Sequence, residues 1–499
     1  MIDKAQFISL AGKLVNGLLR EALGFTVEYQ IPYYHGIVGY MVEAPMLWIR
    51  PSRFPIFFIA YDYRHPDLLS DVVTQLEIAK ATEYFALLIV VPVREGTGNE
   101  AEELRHLVAD SVYRYDFIVL DRFHLAGIIA HNNSQKLIEI ILQQGIELPR
   151  LSPYVTKGPV PENMFFGRES QLKTISQTIE NSDYAVVGGR RIGKSSTLLR
   201  LTRLLNNDPR RFAIYLNCEE KFNYNDFFGV LGDEYKIALH TADPLSIRRL
   251  VAALKEAHRK QLIVFLLDEV DELLAFDAGG RAQLFKAFRT LSHEGAARFV
   301  FSGSRTLYRH LHDPKSPFFN YCQDIILGPL AERAVAEIIS KPMRQLGVEL
   351  PQEKELIARV IEYTSCHPSL VQWLCDKLLR TIAARRITLE NLQAILETPE
   401  FGRYFIETAW GDASPLEKIV SLVLDRSAFE INDLVAAAAR YGLDNKRMIQ
   451  EALETLKLFA LVEQRGKQHH FLLSQFPRIV RAVEDVPFLI ESLLTQMEE

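Results

Sequence analysis

The sequence predicts an α/β fold centred on a five-stranded parallel sheet, preceded by a separate α/β unit and followed by a mainly helical half. Three observations carry this expectation. The short apolar run Tyr184–Val187 ends in a glycine-rich turn and feeds an amphipathic segment that starts at Ser196. The apolar run Leu262–Leu267 is long enough to be a strand buried on both faces, and it ends in Asp268 and Glu269. Between and after these runs, apolar stretches alternate with helix-period segments, as right-handed parallel crossovers require.

The turn after the first strand reads Gly188, Gly189, Arg190, Arg191, Ile192, Gly193, Lys194, Ser195, Ser196. It satisfies the G-x-x-x-x-G-K-[ST] spacing of a phosphate-binding loop. Strand, turn and helix together gather backbone N–H groups around one point, and the helix dipole adds positive potential there. Gly188 and Gly193 permit approaches that a side chain would block. Lys194 is expected to reach the β- and γ-phosphates, and Ser195 to offer its hydroxyl to Mg²⁺. The acids that end the 262–267 run sit at a strand's C-terminal edge, where ligands bind in open α/β sheets. Asp268 is expected in the Mg²⁺ shell, and Glu269 as the residue that orients or deprotonates attacking water. Asp271 and Glu272 read as the solvated start of the next helix.

Phe212–Cys218, Ala297–Ser302 and Asp324–Leu327 complete the expected sheet. Ser302-Gly-Ser-Arg305 follows the fourth strand. Arg305 is a candidate γ-phosphate sensor or in-cis arginine finger, and equally a surface arginine opening the next helix.

Composition narrows the function classes. The chain has 499 residues, enough for about three domains. Hydrophobic residues make up 48% and charged residues 24%, which is ordinary for a globular protein, and a net charge of −6 argues against a wholesale nucleic-acid coat. The four cysteines form no C-x-x-C pair, which predicts reduced thiols in a cytoplasmic protein. No apolar run approaches the roughly 18 residues of a membrane span, no secretory signal opens the chain, and no repeat of roughly 20–50 residues is evident.

From Pro415 the pattern becomes three short helices and a hairpin. Leu416–Leu424 has helical spacing, Asn432 is expected to cap 433–440, and Asp444 to cap 445–458. Two strand-like runs, 460–464 and 469–473, flank a turn at Arg465-Gly-Lys. Helices and hairpin in that order predict a winged helix-turn-helix. Lys446, Arg447, Arg465 and Lys467 would be its DNA contacts, a thin set beside Glu451, Glu454 and Glu463. The expected division is 1–150 for the N-terminal unit, 151–163 as a Pro-rich linker, 164–330 for the nucleotide core, 331–407 for a helical segment and 408–485 for the winged helix.

The N-terminal unit reads as a helix over 5–23, strands near 41–50 and 54–61, a helix over 67–84, a strand over 86–92, a helix over 100–112 and a strand over 117–120. Met164-Phe-Phe166-Gly167-Arg168-Glu169, the G-G-R-R-I-G-K-S-S loop and Thr364–Cys375 together resemble signal-transducing ATPases with numerous domains (the STAND class) and the archaeal-type AAA+ ATPases allied to them. The resemblance implies an ATPase that binds ATP or ADP with Mg²⁺, closed with ADP and open or homo-oligomeric with ATP. It places Phe166, Gly167 and Arg168 beside the adenine and ribose, and His367 and Pro368 of a helical lid near the phosphates. Cys366 stands where the family usually has glycine, and Pro368 is by its chemistry alone an ordinary first residue of a helix. The resemblance also implies that the winged helix locks the resting state.

The order ATPase, lid, winged helix resembles archaeal origin-recognition ATPases as well, which implies a DNA-binding initiator. The N-terminal order resembles the restriction-endonuclease-like fold. Its closest metal-binding pattern is Asp62-Tyr-Arg64 with Glu43. Arginine stays protonated and is a poor substitute for the usual lysine, so a degenerate recognition domain is expected rather than an ATP-regulated nuclease.

Overall fold

The computed structural model describes the whole chain except residues 1–3, 46, 61–66, 80–84, 92–99, 114, 132–133, 221–222, 238–242, 281, 383–384, 425–427 and 499. Three sheets organise it. The N-terminal sheet has the order β1 (Thr26–Tyr34), β2 (Ile37–Glu43), β3 (Arg53–Ala60), β4 (Phe85–Val91) and β5 (Asp116–Leu120). The first three strands are antiparallel, and the last three run parallel. This corrects the sequence reading, which lacked β1 and placed β2 too late in the chain. Strand β1 lies at the sheet edge, so Pro32 within it need not donate to a ladder. Asp62 and Arg64 of the nuclease-like pattern lie outside the described residues.

The central sheet contains β6 (Asp183–Val187), β7 (Arg211–Asn217), β8 (Leu262–Asp268), β9 (Arg298–Gly303) and β10 (Cys322–Ile326) in the order β10-β6-β9-β8-β7, all parallel. Alternation along each strand gives the sheet two different faces. Phe265, Phe299 and Phe301 stack with Phe285, Phe288 and Phe318 on one face. Tyr184, Val186, Val264 and Val300 meet Leu198, Leu201 and Leu205 of the helix that follows the glycine-rich turn on the other. Asp183 is buried at the start of β6, where it accepts from the Ser292 hydroxyl and from Phe299 N at 2.8 Å, so it pins β6 to β9.

Helices Glu332–Gln345, Glu353–Thr364, Pro368–Thr381, Leu389–Leu396 and Pro399–Trp410 stack beyond the sheet. The C-terminal unit has helices Pro415–Leu422, Ile431–Ala438 and Lys446–Leu458, and a small antiparallel sheet of β11 (Ala428–Phe429), β12 (Val462–Arg465) and β13 (Gln468–Phe471). The caps fall one or two residues earlier or later than expected. Glu430 precedes the second of these helices, its N–H donating to Asp433, and Asn445 caps the third by accepting from Arg447 N and Met448 N. Asn432 instead accepts from Lys446 Nζ. Two further helices, Phe476–Val483 and Val486–Glu498, pack back against Pro399–Trp410 and Pro415–Leu422. Among the described residues no helix is long and apolar enough to cross a membrane.

The segment between the N-terminal unit and the core is a strap held at many points. Ser152 Oγ donates to the buried Asp376 at 2.7 Å, Tyr154 OH to Ile338 O at 3.1 Å, and Val155 N to Gln372 Oε1 at 3.2 Å. Trp48 joins the same seam, with its backbone N–H on Gln345 Oε1 and its indole on Asn163 O.

Asp277 is fully buried and accepts from Tyr224 OH at 2.6 Å and from Leu284 N and Phe285 N at 3.0 Å, which ties three helices together. Asp277→Ala would orphan two buried N–H groups. A loss of about 2–4 kcal/mol is expected, read as a lowered unfolding midpoint, and an unchanged midpoint would refute the role.

Candidate functional site

Two constraints shape the glycine-rich turn. Gly193 sits at φ 102° and Arg191 at φ 58°, conformations that turn successive N–H groups inward ahead of the Lys194–Asn206 helix. The outside of the loop has no spare room. A Cβ on Gly188 would lie 2.8 Å from Leu327 O, and one on Gly189 would lie 2.9 Å from Phe459 Cα of the C-terminal unit. Lys194 is almost wholly buried; its ammonium donates to Gly188 O at 3.2 Å and Gly189 O at 3.1 Å and stands 3.6 Å from Glu269 Oε1. Ser195 faces the cavity beside it. Ser196 also borders the cavity, and its hydroxyl accepts from Val160 N at 3.1 Å, so it fastens the strap to the loop.

Register delivers the acids. Asp268 ends β8 opposite Asn217 of β7, and Asp268 Oδ2 accepts from Tyr215 OH at 2.9 Å. Glu269 follows at φ 50°, a conformation that costs a non-glycine residue on the order of 1 kcal/mol or more. Burial raises the Glu269 carboxyl above its ordinary range, Lys194 opposes the shift, and Asp268 adds to it. Lys194, Asp268 and Glu269, expected together from sequence, are therefore together. Asp271 departs from the expected solvated position. It accepts from Ser304 N at 2.7 Å, Thr306 N at 2.8 Å and Leu307 N at 3.2 Å, capping the Arg305–His312 helix, and Gly303 leaves room for it.

The loop from Arg191 to Ser196, Glu269 and the helices beyond the sheet enclose a cavity of about 540 Å³, whereas Gly188, Gly189, Arg190 and the fully buried Asp268 do not border it. Phe166, Arg168 and Pro368 border it, and so do Tyr215, Asn217, Gln372 and the strap over 155–160, none of which the motifs signalled. Gly167 is at φ 76°, with Ala334 only 2.5 Å from where a Cβ would stand. Arg168 is buried and donates to Ile192 O at 3.2 Å and to Gly328 O; burial brings its guanidinium down to about 10. His367 does not border the cavity. It is buried behind Pro368, where desolvation and then Arg168 and Arg191 hold its imidazole down at about 3, neutral at physiological pH.

Three arginines point elsewhere than expected. Arg190 pairs with Asp412 at 3.6 Å. Arg191 borders the cavity but pairs with Glu407 at 2.8 Å and lies over the Tyr404 ring. Arg305 is not among the residues bordering the cavity. Its guanidinium donates to Glu417 Oε2 at 2.5 Å and Asp412 O at 2.8 Å, and it lies 5.8 Å from the Phe459 ring centroid. The carboxylate that receives it also accepts from Ser414 N, capping the Pro415–Leu422 helix.

The open backbone at Gly193, the buried Lys194 ammonium and the Glu269 carboxylate beside it fit a polyphosphate with a divalent cation. Among the described residues no three His, Cys, Asp or Glu side chains form a metal cage, so a cation here would depend on ligand phosphates besides Ser195 and Asp268.

Residues 182–311 match the model of the AAA domain. No curated protein matches the sequence. In fold the chain is similar to a Walker-type ATPase of Pyrococcus abyssi, with a TM-score of 0.50 at 16% identity over 65% of this chain and 98% of that one. The Orc1 protein of Aeropyrum pernix, solved in complex with DNA, gives 0.37 at 14% identity over 64% of this chain and 96% of that one. Cdc6p of Pyrobaculum aerophilum gives 0.36 at 15% identity over 68% and 97%. The matched stretch runs from β6 to β9 and takes in the glycine-rich turn, Asp268 and Glu269, and the α/β fold is similar to that of a Walker-type ATPase.

Proposed function

We propose that the protein is an ATP-binding and slowly hydrolysing switch of the kind its motifs resemble, held closed by a C-terminal winged helix. The carrying observation is the contact between Phe459 backbone and Gly189, flanked by the Arg190–Asp412, Arg191–Glu407 and Arg305–Glu417 pairs. A unit that touches the phosphate loop itself is sensitive to what the loop holds.

In this reading the amides from Gly188 to Ser195 receive the phosphates, and Lys194 leaves its loop carbonyls to meet the terminal one. Ser195 and Asp268 hold Mg²⁺, which when bound neutralises charge on the phosphates. Tyr215 keeps Asp268 aimed, and Glu269 accepts a proton from water. Phe166, Gly167 and Arg168 shape the base side, and Pro368 brings the lid to the site. Arg305 serves as a latch rather than as a phosphate sensor, because its Nη2 is held by Glu417 and Asp412 and it does not border the cavity. Opening would expose the latch surface for homo-oligomer contacts.

The cations of the Lys446–Leu458 helix and of the hairpin support an intramolecular role over DNA binding. Arg447 pairs with Glu451, Lys457 with Glu454 and Arg465 with Glu463, and the end of that helix lies against the loop. Duplex binding with a steep salt slope would favour the initiator reading instead.

Lys194→Ala is expected to abolish ATP binding in titration calorimetry; wild-type affinity would sink the site assignment. Glu269→Gln should bind ATP but release phosphate roughly a hundredfold more slowly or worse. Because Glu269 must be ionised to act and its pKa is raised, wild-type turnover should fall with decreasing pH in a limb lying above the ordinary carboxylate pKa of about 4.3. Normal turnover in Glu269→Gln would refute the base role. Glu407→Lys combined with Asp412→Lys removes two half-exposed pairs, together roughly 1 kcal/mol, and should speed release of fluorescent ADP about fivefold. Unchanged release would argue against the latch.

A further inference from the structure

Behind the strap lies a second cavity of about 400 Å³, between the N-terminal sheet and the core. Its border includes four cations, Arg50, Arg53, Lys157 and Arg203, and no carboxylate. Arg53 is paired with Glu28 at 2.8 Å, and Arg203 with Glu162 at 2.8 Å and Glu43 at 3.6 Å. Among the described residues Arg50 and Lys157 have no ion-pair partner, so the cavity keeps uncompensated positive charge. Apart from Ser52 its remaining walls are apolar and stiff, with Pro51, Pro55, Pro153, Pro159 and Pro161 facing it. Cations beside flat apolar walls suit a phosphate ester that carries a planar body.

The partition between the two cavities is thin. Val155, Lys157, Pro159, Val160 and Leu199 border both. The strap is anchored on the nucleotide side by Ser196 and Gln372, so a group pressing on its far side acts on the loop through one layer of chain.

We propose that this cavity is a second, effector site for a nucleotide-sized phosphate ester, either a free mononucleotide or one nucleotide unit of a single strand, coupled to the first site through the shared strap. Coupling of this kind is reciprocal, so an occupant here changes ATP affinity by the factor with which ATP changes its own. The proposal rests on the loop site only for that coupling; the binding itself stands on the second cavity alone.

The test uses the full chain carrying Lys194→Ala, titrated with adenosine monophosphate in one arm and with a short single-stranded oligonucleotide in the other. Binding of either ligand is expected, weakened about tenfold or more by Arg50→Glu with Arg53→Glu, which border only the second cavity. Arg203→Gln on the facing helix should weaken it as well, which guards against a folding defect in the double variant. The tighter of the two ligands identifies the source. With Lys194 intact, the double variant should hold ATP within about twofold of wild type. Absence of binding in both arms, or binding indifferent to all three arginines, would overturn the proposal. Retention of ATP by Lys194→Ala would count against the loop reading and leave the arginine comparison to decide the second cavity.

Discussion

Bare backbone at Gly188 and Gly189 is the constraint on which the packing around the glycine-rich turn depends. Gly188 lets Leu327 O approach from the neighbouring strand, and Gly189 lets Phe459 approach from the C-terminal unit. The hydrogen bond from Leu327 N to Val187 O holds β10 behind the loop at 2.8 Å. The Pro399–Trp410 helix joins through Glu407 and Tyr404 on Arg191, and the strap through Val160 N on Ser196 Oγ. Four separate stretches of chain thus meet on one glycine-rich turn. A side chain at Gly188 or Gly189 would push one of them away before it met any ligand.

Charge organises the outer contacts of that turn. The loop contributes two arginines and β9's helix contributes a third, and each faces an acid from the segment over 407–417. The pairs differ in weight. Arg190–Asp412 is half-exposed and long, the type that contributes little. Arg305–Glu417 places a nearly buried carboxylate between a guanidinium and Ser414 N, so separating it would strand a charge and uncap a helix together. The contact is thus of mixed strength around one strong pair, with the weak pairs conferring orientation at small energetic cost.

The loop and its acids were legible because their chemistry is local. A strand, a turn with glycines at fixed spacing and a helix start lie within a few residues, and the acids end a strand whose burial is written in its apolar run. The N-terminal sheet was partly legible: β3, β4 and β5 stand out as apolar runs, whereas β1 carries polar residues and a proline because it lies at an edge. The sequence leaves Arg305 open between a phosphate sensor and an arginine opening the next helix for a different reason. A guanidinium at a strand's end is compatible with a phosphate or a carboxylate partner, and its partner Glu417 is far away in sequence. Asp271 starts its helix as expected but is not simply solvated, since the N–H groups that donate to it lie on the far side of β9.

What the sequence by itself determined is the central sheet and the glycine-rich turn after β6, since both depend on periodicity and spacing within short segments. Tertiary structure alone decided what covers the turn: the Pro-rich strap on one side, Phe459 and its flanking acids on the other, and a second basic cavity across the strap. The physical reason is that ion pairs, close backbone approaches and shared cavity walls are made between segments hundreds of residues apart. No local pattern of side chains specifies which of several available carboxylates a given arginine will meet.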